Sequence, residues 1–179
     1  MKSSVYHRIT QLLVEGKQGE AVTTLEANKA TMSPQEYREC RGNAHFYRKE
    51  YQESIPHYEW AMQSSADYDC ARYHYLLGVQ AERNGQLTEA FKRFEAAVGI
   101  ESEFVDTYIE LGALLVKIGD LEGALGCYTD AVDLDPKDIG IKLNRAQILS
   151  QLARKDPDTY WAQFNEAKAA YEQALALKA

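Results

Sequence analysis

Two residues whose chemistry and spacing could form part of a metal site stand near the middle of the chain. Cys70 and His74 are four residues apart, so a helix would place both side chains on one face. Two ligands do not complete the tetrahedral coordination that zinc requires, and no CxxC or HxxxH pair supplies the others. The sequence therefore favours ordinary buried or surface roles for both residues, and we predict no metal site and no cofactor.

No residue set in the sequence indicates catalysis. The histidines His7, His45 and His57 show no local set of acid–base partners of the kind that catalysis uses. The chain also lacks the phosphate-binding GxxxxGK[ST] loop, the GxGxxG fingerprint, HExxH and GxSxG. We therefore predict that the protein is not an enzyme.

The composition is that of an ordinary folded protein. The 179 residues are 45% hydrophobic and 26% charged, and the net charge is −7. With no basic run, this charge argues against nucleic acid as a partner. Three widely spaced cysteines argue against a disulfide scaffold and predict a reducing, cytoplasmic setting. The first residues lack the apolar core of a signal peptide and no run approaches the ~20 apolar residues of a membrane helix, so we predict no membrane insertion.

Landmarks that recur about every 34 residues divide the chain into similar units. Small residues recur at Gly42, Gly78, Gly112 and Ala146, which are separated by 36, 34 and 34 positions. Further along each unit, two alanines flank an aromatic residue at spacings of four and three, as in Ala90, Phe94 and Ala97, and again in Ala124, Tyr128 and Ala131. These spacings place all three side chains on one helical face, and the small residues let a neighbouring helix approach. Turn signals at Asn84-Gly85, Gly119-Asp120 and Lys49-Glu50 predict two helices in each unit.

These coordinated matches resemble the tetratricopeptide repeat (TPR) family over most of the chain. The family pattern has a small residue at the eighth position, alanine at the twentieth, an aromatic at the twenty-fourth and alanine at the twenty-seventh. A proline often closes the unit, as Pro136 does here. The aromatic usual at position four is kept at Tyr108, whereas Arg38, His74 and Lys142 stand there in the other units.

The resemblance implies an all-α fold, a TPR-type α-solenoid of helix-turn-helix hairpins that form a right-handed superhelix with a long C-terminal helix. We predict a single array over 1–179. Its units are a degenerate one at about 2–34, then 35–70, 71–104, 105–138, and 139–179 with an insertion near 154–163.

The two ends of the chain depart from the regular pattern. In the first unit we predict helices at Ser3–Glu15 and Gly19–Lys29, and a capping box at Ser33 and Glu36 then begins the next helix. In the last unit the alanine–aromatic–alanine pattern comes nine residues late, at Ala167, Tyr171 and Ala174. Asp156 and Pro157 predict the start of a last helix that runs to about Leu177.

In the TPR family the first helices of successive units line a concave groove whose exposed side chains bind partners. By resemblance, this groove would bind a peptide or protein segment with apolar anchors, although several of its side chains could instead pack against adjacent first helices. The residues predicted to line it are Glu39, Asn43, Phe46, Tyr47, Arg72, Tyr75, Val79, Arg83, Asp106, Ile109, Ala113, Lys117 and Gln147. Further positions of the same face are Glu36, Glu82, Val116, Leu143 and Gln151, with Tyr6, Thr10 and Leu13 in the degenerate unit.

The function implied by the resemblance is a non-catalytic protein–protein interaction module, an adaptor or scaffold. The alternative is a dedicated chaperone that shields an apolar segment of a secreted or membrane-active protein, as TPR chaperones of type III secretion do. Those chaperones usually have three repeats. A third class, TPR proteins that clamp a C-terminal carboxylate, has lysine and asparagine at two groove positions. Asn43 matches that asparagine, but Glu39 replaces the lysine and would repel a carboxylate.

Aromatic residues gather at the start of the last helix. Tyr160 and Phe164 are four residues apart, and we expect them to face the preceding helix together with Ala167 and Tyr171. Trp161 points about 100° away, toward Lys168 and Leu175. Trp161 and Leu175 are therefore either a cap on the end of the stack or a second interface, and the oligomeric state stays open.

Overall fold

The computed structural model describes residues 2–64 and 69–176. Within these ranges the chain forms ten α-helices and no β-strand, which confirms the all-α prediction. The helices are α1 (Ser4–Val14), α2 (Gln18–Ala27), α3 (Pro34–Tyr47), α4 (Tyr51–Gln63), α5 (Ala71–Arg83), α6 (Leu87–Ile100), α7 (Val105–Ile118), α8 (Leu121–Leu134), α9 (Ile139–Lys155) and α10 (Pro157–Ala176).

The chain divides into two compact units, Met1–Leu76 and Leu77–Ala179. In the first unit, α1 packs against α2 and α3, and α3 packs against α4. In the second unit, each helix from α6 to α9 packs against the next one. The odd-numbered helix is thus the first helix of each hairpin. The prediction of one continuous array stays a prediction.

The turns between paired helices share one unusual backbone conformation. Gly16, Gly85 and Gly119 have φ angles of 74°, 75° and 90°, and Lys49 occupies the equivalent turn with φ 62°. Glycine adopts this left-handed conformation without the steric cost that a Cβ atom brings. The turns predicted at Asn84-Gly85, Gly119-Asp120 and Lys49-Glu50 are therefore confirmed.

The repeated small residues give each hairpin its close contact. The rings of Tyr58, Phe94 and Tyr128 lie directly on the backbone of the first helix, at the three glycines of the repeat. A Cβ atom added at Gly42 would lie 2.5 Å from the nearest atom of the Tyr58 ring, and one at Gly78 would lie 2.6 Å from the Phe94 ring. Both rings are fully buried, so the glycine leaves the space that the ring needs.

Local capping signals set the helix ends. The Ser33 hydroxyl accepts from the amide of Glu36, whose carboxylate in turn accepts from the Ser33 amide, so the predicted capping box is confirmed. The Asp156 carboxylate accepts from the amide of Thr159 at 3.2 Å, at the start of α10. The described part of α10 ends at Ala176, and Leu177, the predicted end, lies outside the described residues.

The extra residues of the last unit do not form a loop. α9 is 17 residues long, three more than α7, and α10 begins two residues after α9 ends. The insertion predicted near 154–163 is therefore absorbed as longer helices. Because Asp156 and Pro157 together end one helix and begin the next, the added residues stay helical on both sides of the turn.

Candidate partner-binding surface

The groove positions predicted in the first unit are mostly buried. Glu39, Asn43 and Phe46 of α3 are buried, as are Arg72 and Tyr75 of α5, whereas Tyr47 is half-buried. The exposure that the resemblance implied is therefore absent at these five positions. The physical reason is that these side chains bond and pack with one another, with α1 and, in the case of Asn43, with Tyr58 of α4.

The carboxylate of Glu39 is the centre of this buried group. The Tyr6 hydroxyl donates to Glu39 Oε1 at 2.7 Å, and the Lys2 ammonium forms an ion pair with Oε2. The Cys70 thiol lies 3.9 Å from Oε1, within donating distance for sulfur. The hydroxyl and the ammonium compensate the buried negative charge, which would otherwise be costly. Glu39 thus fastens α1 to α3 rather than facing a partner.

Arg72 and three aromatic rings form the neighbouring part of the same group. The Arg72 guanidinium donates to the Tyr47 hydroxyl at 3.1 Å and lies 5.6 Å from the centre of the Tyr47 ring. The same guanidinium lies 5.9 Å from the centre of the Phe46 ring, and Tyr75 meets Phe46 edge to face at 5.8 Å. These are stacking and cation–π distances. The aromatic side chains predicted as partner anchors are thus engaged within the unit.

Asn43 contributes to the hairpin core. Its Oδ1 atom accepts from the Tyr58 hydroxyl at 2.8 Å, and both side chains are fully buried. An asparagine held in this way does not reach an incoming carboxylate. The carboxylate-clamp class, which Glu39 already argued against, therefore has no geometric support here.

The two cysteines of the first unit are buried thiols. Burial, followed by the nearby carboxylate of Glu39, raises the pKa of Cys70 to about 12 and raises that of Cys40 well above its usual range. Such a thiol is protonated at neutral pH and is therefore a poor nucleophile. His74, four residues after Cys70, is instead hydrogen-bonded through Nε2 to Asp69 at 2.8 Å.

The predicted groove positions of the second unit are different, because they remain open. Two of these positions, Val79 and Ile109, are half-buried. The others are exposed: Arg83, Asp106, Ala113, Lys117 and Gln147. Lys117 forms an ion pair with Glu82 at 3.7 Å. The first helices of this unit therefore present apolar side chains with charges of both signs beside them.

The last helix has one packed face and one exposed face. Tyr160 and Phe164 pack against a buried cluster of Ala146, Leu149 and Ala167, which confirms their predicted orientation. Tyr171 is half-buried and lies outside this cluster, and the Ala174 side chain lies outside the described residues.

The residues of the second predicted interface occupy the exposed face of α10. Trp161 and Leu175 are 55% and 51% exposed, and the Trp161 ring lies 5.6 Å from that of Phe164. Their role as a cap or an interface stays a prediction.

Two negative observations apply to the described residues, 2–64 and 69–176. No group of three or more His, Cys, Asp and Glu side chains is arranged there to hold a metal ion. None of the helices in these ranges combines the length and the apolar character needed to cross a membrane.

The sequence did not point to Lys2 or Cys70 as partners of Glu39. Lys2 is 37 residues away and Cys70 is 31 residues away, so no local spacing links them. An acidic residue at a family groove position was the one available signal, since a carboxylate that becomes buried requires a cation or donors near it.

Models of one protein family match two stretches of the chain. The family is described as tetratricopeptide repeat, and the matches cover residues 41–103 and 105–138. Together they include the glycine–aromatic contacts of three hairpins.

Two curated relatives match part of the chain. Superkiller complex protein 3 of Mus musculus is 29% identical over 103 residues, which are 54% of this chain and 6% of that protein. Photosystem I assembly protein Ycf3 of Prochlorococcus marinus is 26% identical over 117 residues, which are 60% of this chain and 66% of that protein. The chain therefore spans less than two thirds of the length of either relative.

Solved structures of MamA share the fold. MamA of Desulfovibrio magneticus RS-1, from residue 41 to its end, is 21% identical, with a TM-score of 0.52 and coverage of 99% of this chain and 97% of that chain. MamA AMB-1 is 15% identical, with a TM-score of 0.52 and coverage of 97% and 90%. At such low identity the similarity extends to the helical-repeat fold alone.

Proposed function

Because the chain belongs to the tetratricopeptide repeat family, we propose that it is a non-catalytic adaptor or scaffold that binds a segment of another protein on the first helices of its second unit. The comparisons support the general statement, a protein–protein interaction or assembly module. The choice of surface is our inference and depends on which predicted positions remain accessible.

The observation that carries the proposal is the difference between the two units. In the first, the predicted contact positions are filled by the contacts of Glu39 with Tyr6 and of Arg72 with Tyr47. In the second, Ile109 and Val116 of α7 are half-buried, and Ala113 between them is exposed. Spacings of four and three place these side chains on one helical face. Binding of a partner that removes such an apolar strip from water is favourable.

The surroundings of the strip indicate the chemistry of the segment. Arg83 and Lys117 provide positive charge, and Asp106 and Glu82 provide negative charge. Partly exposed pairs such as Lys117 and Glu82 add little affinity but help select register. We infer a segment with apolar anchors, extended or helical, and with charges of both signs.

The test compares two double variants, each of which replaces two aliphatic side chains with serine. Ile109→Ser/Val116→Ser alters the strip, and Ile100→Ser/Leu134→Ser alters exposed apolar residues at the ends of α6 and α8. Both proteins are used to capture partners from the native cell extract, and the dissociation constant of each purified partner is then measured. We expect binding to be lost with the first variant and kept with the second. A partner that binds both variants like the wild type contradicts the proposed surface.

A chaperone is the second candidate. One relative is named as an assembly protein for photosystem I, and chaperones of assembly shield apolar segments until they are placed. Co-expression separates the two roles, because a chaperone client is insoluble without this chain and soluble with it. A scaffold partner is soluble in both cases and is joined to a second folded protein.

We further propose a reducing, cytoplasmic location. Support comes from the three free cysteines. Two of them, Cys40 and Cys70, are buried near the carboxylate of Glu39. Cell fractionation tests this location, and recovery of the protein in an oxidising compartment contradicts it.

A further inference from the structure

One hairpin of the first unit carries basic side chains where a hairpin of the second unit is apolar. Arg41 directly precedes Gly42, as Leu111 directly precedes Gly112, and His45 follows Gly42 by three residues, as Leu115 follows Gly112. Leu111 and Leu115 are buried, whereas Arg41 and His45 are half-buried. The contact that is closed and apolar in the second unit is therefore polar and partly open in the first.

A cavity of about 80 Å³ lies at this place, between α2 and α3. Val22 and Ala44 contribute apolar surface, and Arg41, His45 and Arg48 contribute basic groups. A cavity needs only about 10–15 Å³ of volume accessible to the centre of a water molecule to hold one water, so this cavity has room for several. That volume suits a small oxyanion, and three basic side chains converge on it.

The carboxylates near the cavity leave donors for a further acceptor. Arg41 is bound to Glu26 through Nη1 at 2.9 Å. Glu50 serves both His45, at 2.8 Å, and Arg48, at 3.9 Å, through the same oxygen. A guanidinium has five N–H groups in a planar fork, so these contacts engage only part of what the two arginines can donate.

The neighbouring side chains make the surroundings more positive. His57 of α4 stacks on His45 with ring centres 5.5 Å apart, and Arg38 lies 3.4 Å from His57 Nδ1. Burial, followed by the charges of His45, Arg41 and Arg38, lowers the pKa of His57 to about 4. Burial is the main cause, and the positive charges of Arg41 and Arg38, which contribute after it, also favour a bound anion.

We propose that the cavity is a binding site for a phosphate-class oxyanion, free or carried by a side chain of a partner, held by Arg41, His45 and Arg48. Two guanidinium groups match a dianion with several terminal oxygens better than a single carboxylate does. Arg41 and His45 lie on the opposite side of α3 from Asn43, since two residues turn a helix by about 200°. The site lies in the first unit and the proposed function uses helices of the second, so the two proposals are tested separately.

The test uses inorganic phosphate as the probe, with sodium chloride and sodium acetate at equal ionic strength as references. The full chain is titrated while the imidazole signals of His45 and His57 are followed by NMR. We expect saturable shifts with phosphate alone. Arg41→Gln should raise the dissociation constant about tenfold, since it removes one charge-assisted contact. Arg48→Gln should weaken binding as well.

Arg93→Gln is the matched control. Arg93 is paired with Glu89 at 2.7 Å, and the side chains of that pair are 36% and 46% exposed, close to the 39% and 45% of Arg41 and Glu26. It should bind phosphate like the wild type. O-phosphoserine that binds more tightly than phosphate would indicate a modified protein as the source, and equal binding would indicate the free ion. Equal shifts with chloride or acetate, or an unchanged constant for both Arg41→Gln and Arg48→Gln, would overturn the proposal.

Discussion

Replacing Gly78 with alanine places a methyl group against the ring of Phe94. The added Cβ would lie 2.6 and 2.7 Å from two atoms of that ring, closer than Cβ atoms are found in proteins. Phe94 is fully buried in α6, so its ring cannot move away into solvent. Either the ring or the helix contact must shift, and the hairpin loses packing.

The size of the effect is the difference between two opposing terms. Alanine is favoured over glycine in a helix interior by about 1 kcal/mol, and overpacking a core typically costs ~1–3 kcal/mol. Gly126 lies inside α8 with open space around its Cβ position, so Gly126→Ala shows the first term alone. We expect Gly78→Ala to be less stable than Gly126→Ala by ~1–3 kcal/mol.

Urea unfolding of both variants and the wild type measures this difference. A third protein combines Gly78→Ala with Phe94→Leu, which removes ring atoms at the point of contact. If the clash is the cause, the double variant should lose less stability than the sum of the two single changes. Equal unfolding midpoints for Gly78→Ala and Gly126→Ala would refute the role given to the repeated glycines.

Three further predictions concern single residues. Lys49→Gly should raise the free energy of unfolding by up to ~1 kcal/mol, because Lys49 has a φ of 62° where the equivalent turns have glycine. Urea unfolding measures the change, and a loss of stability would contradict the idea that the Lys49 backbone is strained. Tyr6→Phe should lower the free energy of unfolding by ~1–2 kcal/mol, because the buried Glu39 carboxylate loses the hydroxyl that donates to it at 2.7 Å. Tyr37→Phe is the control: it removes an exposed hydroxyl bonded to Glu26 and should lower the stability less. The pKa of His57 falls from 6.5 when unfolded to about 4 when folded, so the unfolded chain binds the proton first and stability should decline as pH falls from about 6.5 to about 4. His57→Asn should decline less over that range in urea unfolding, and equal slopes would refute the assignment.

The repeat itself could be read from the sequence because its signals are local or periodic. Gly78 and Phe94 recur at fixed spacing in the next unit as Gly112 and Tyr128, and this period predicts which residues meet within a hairpin. Caps such as Ser33 with Glu36 act over three residues, so their effect does not depend on the rest of the fold. For these reasons the helix-turn-helix hairpins were predicted correctly, and the four helix starts that the sequence indicated, at Ser3, Gly19, Ser33 and Pro157, lie within one residue of the observed ones.

The accessibility of the predicted site residues was decided only by the tertiary structure. Glu39 and Ile109 hold corresponding family positions, yet the first is buried beside Tyr6 and Lys2 and the second stays partly open. Two partners of Glu39, Tyr6 of α1 and Lys2 just before that helix, lie more than thirty residues earlier in the chain. The basic cavity at Arg41 likewise depends on α2 lying alongside α3. Spacing along one helix determines which side chains share a face. Burial and charge compensation depend on which other helix covers that face, and that is set by packing between distant parts of the chain.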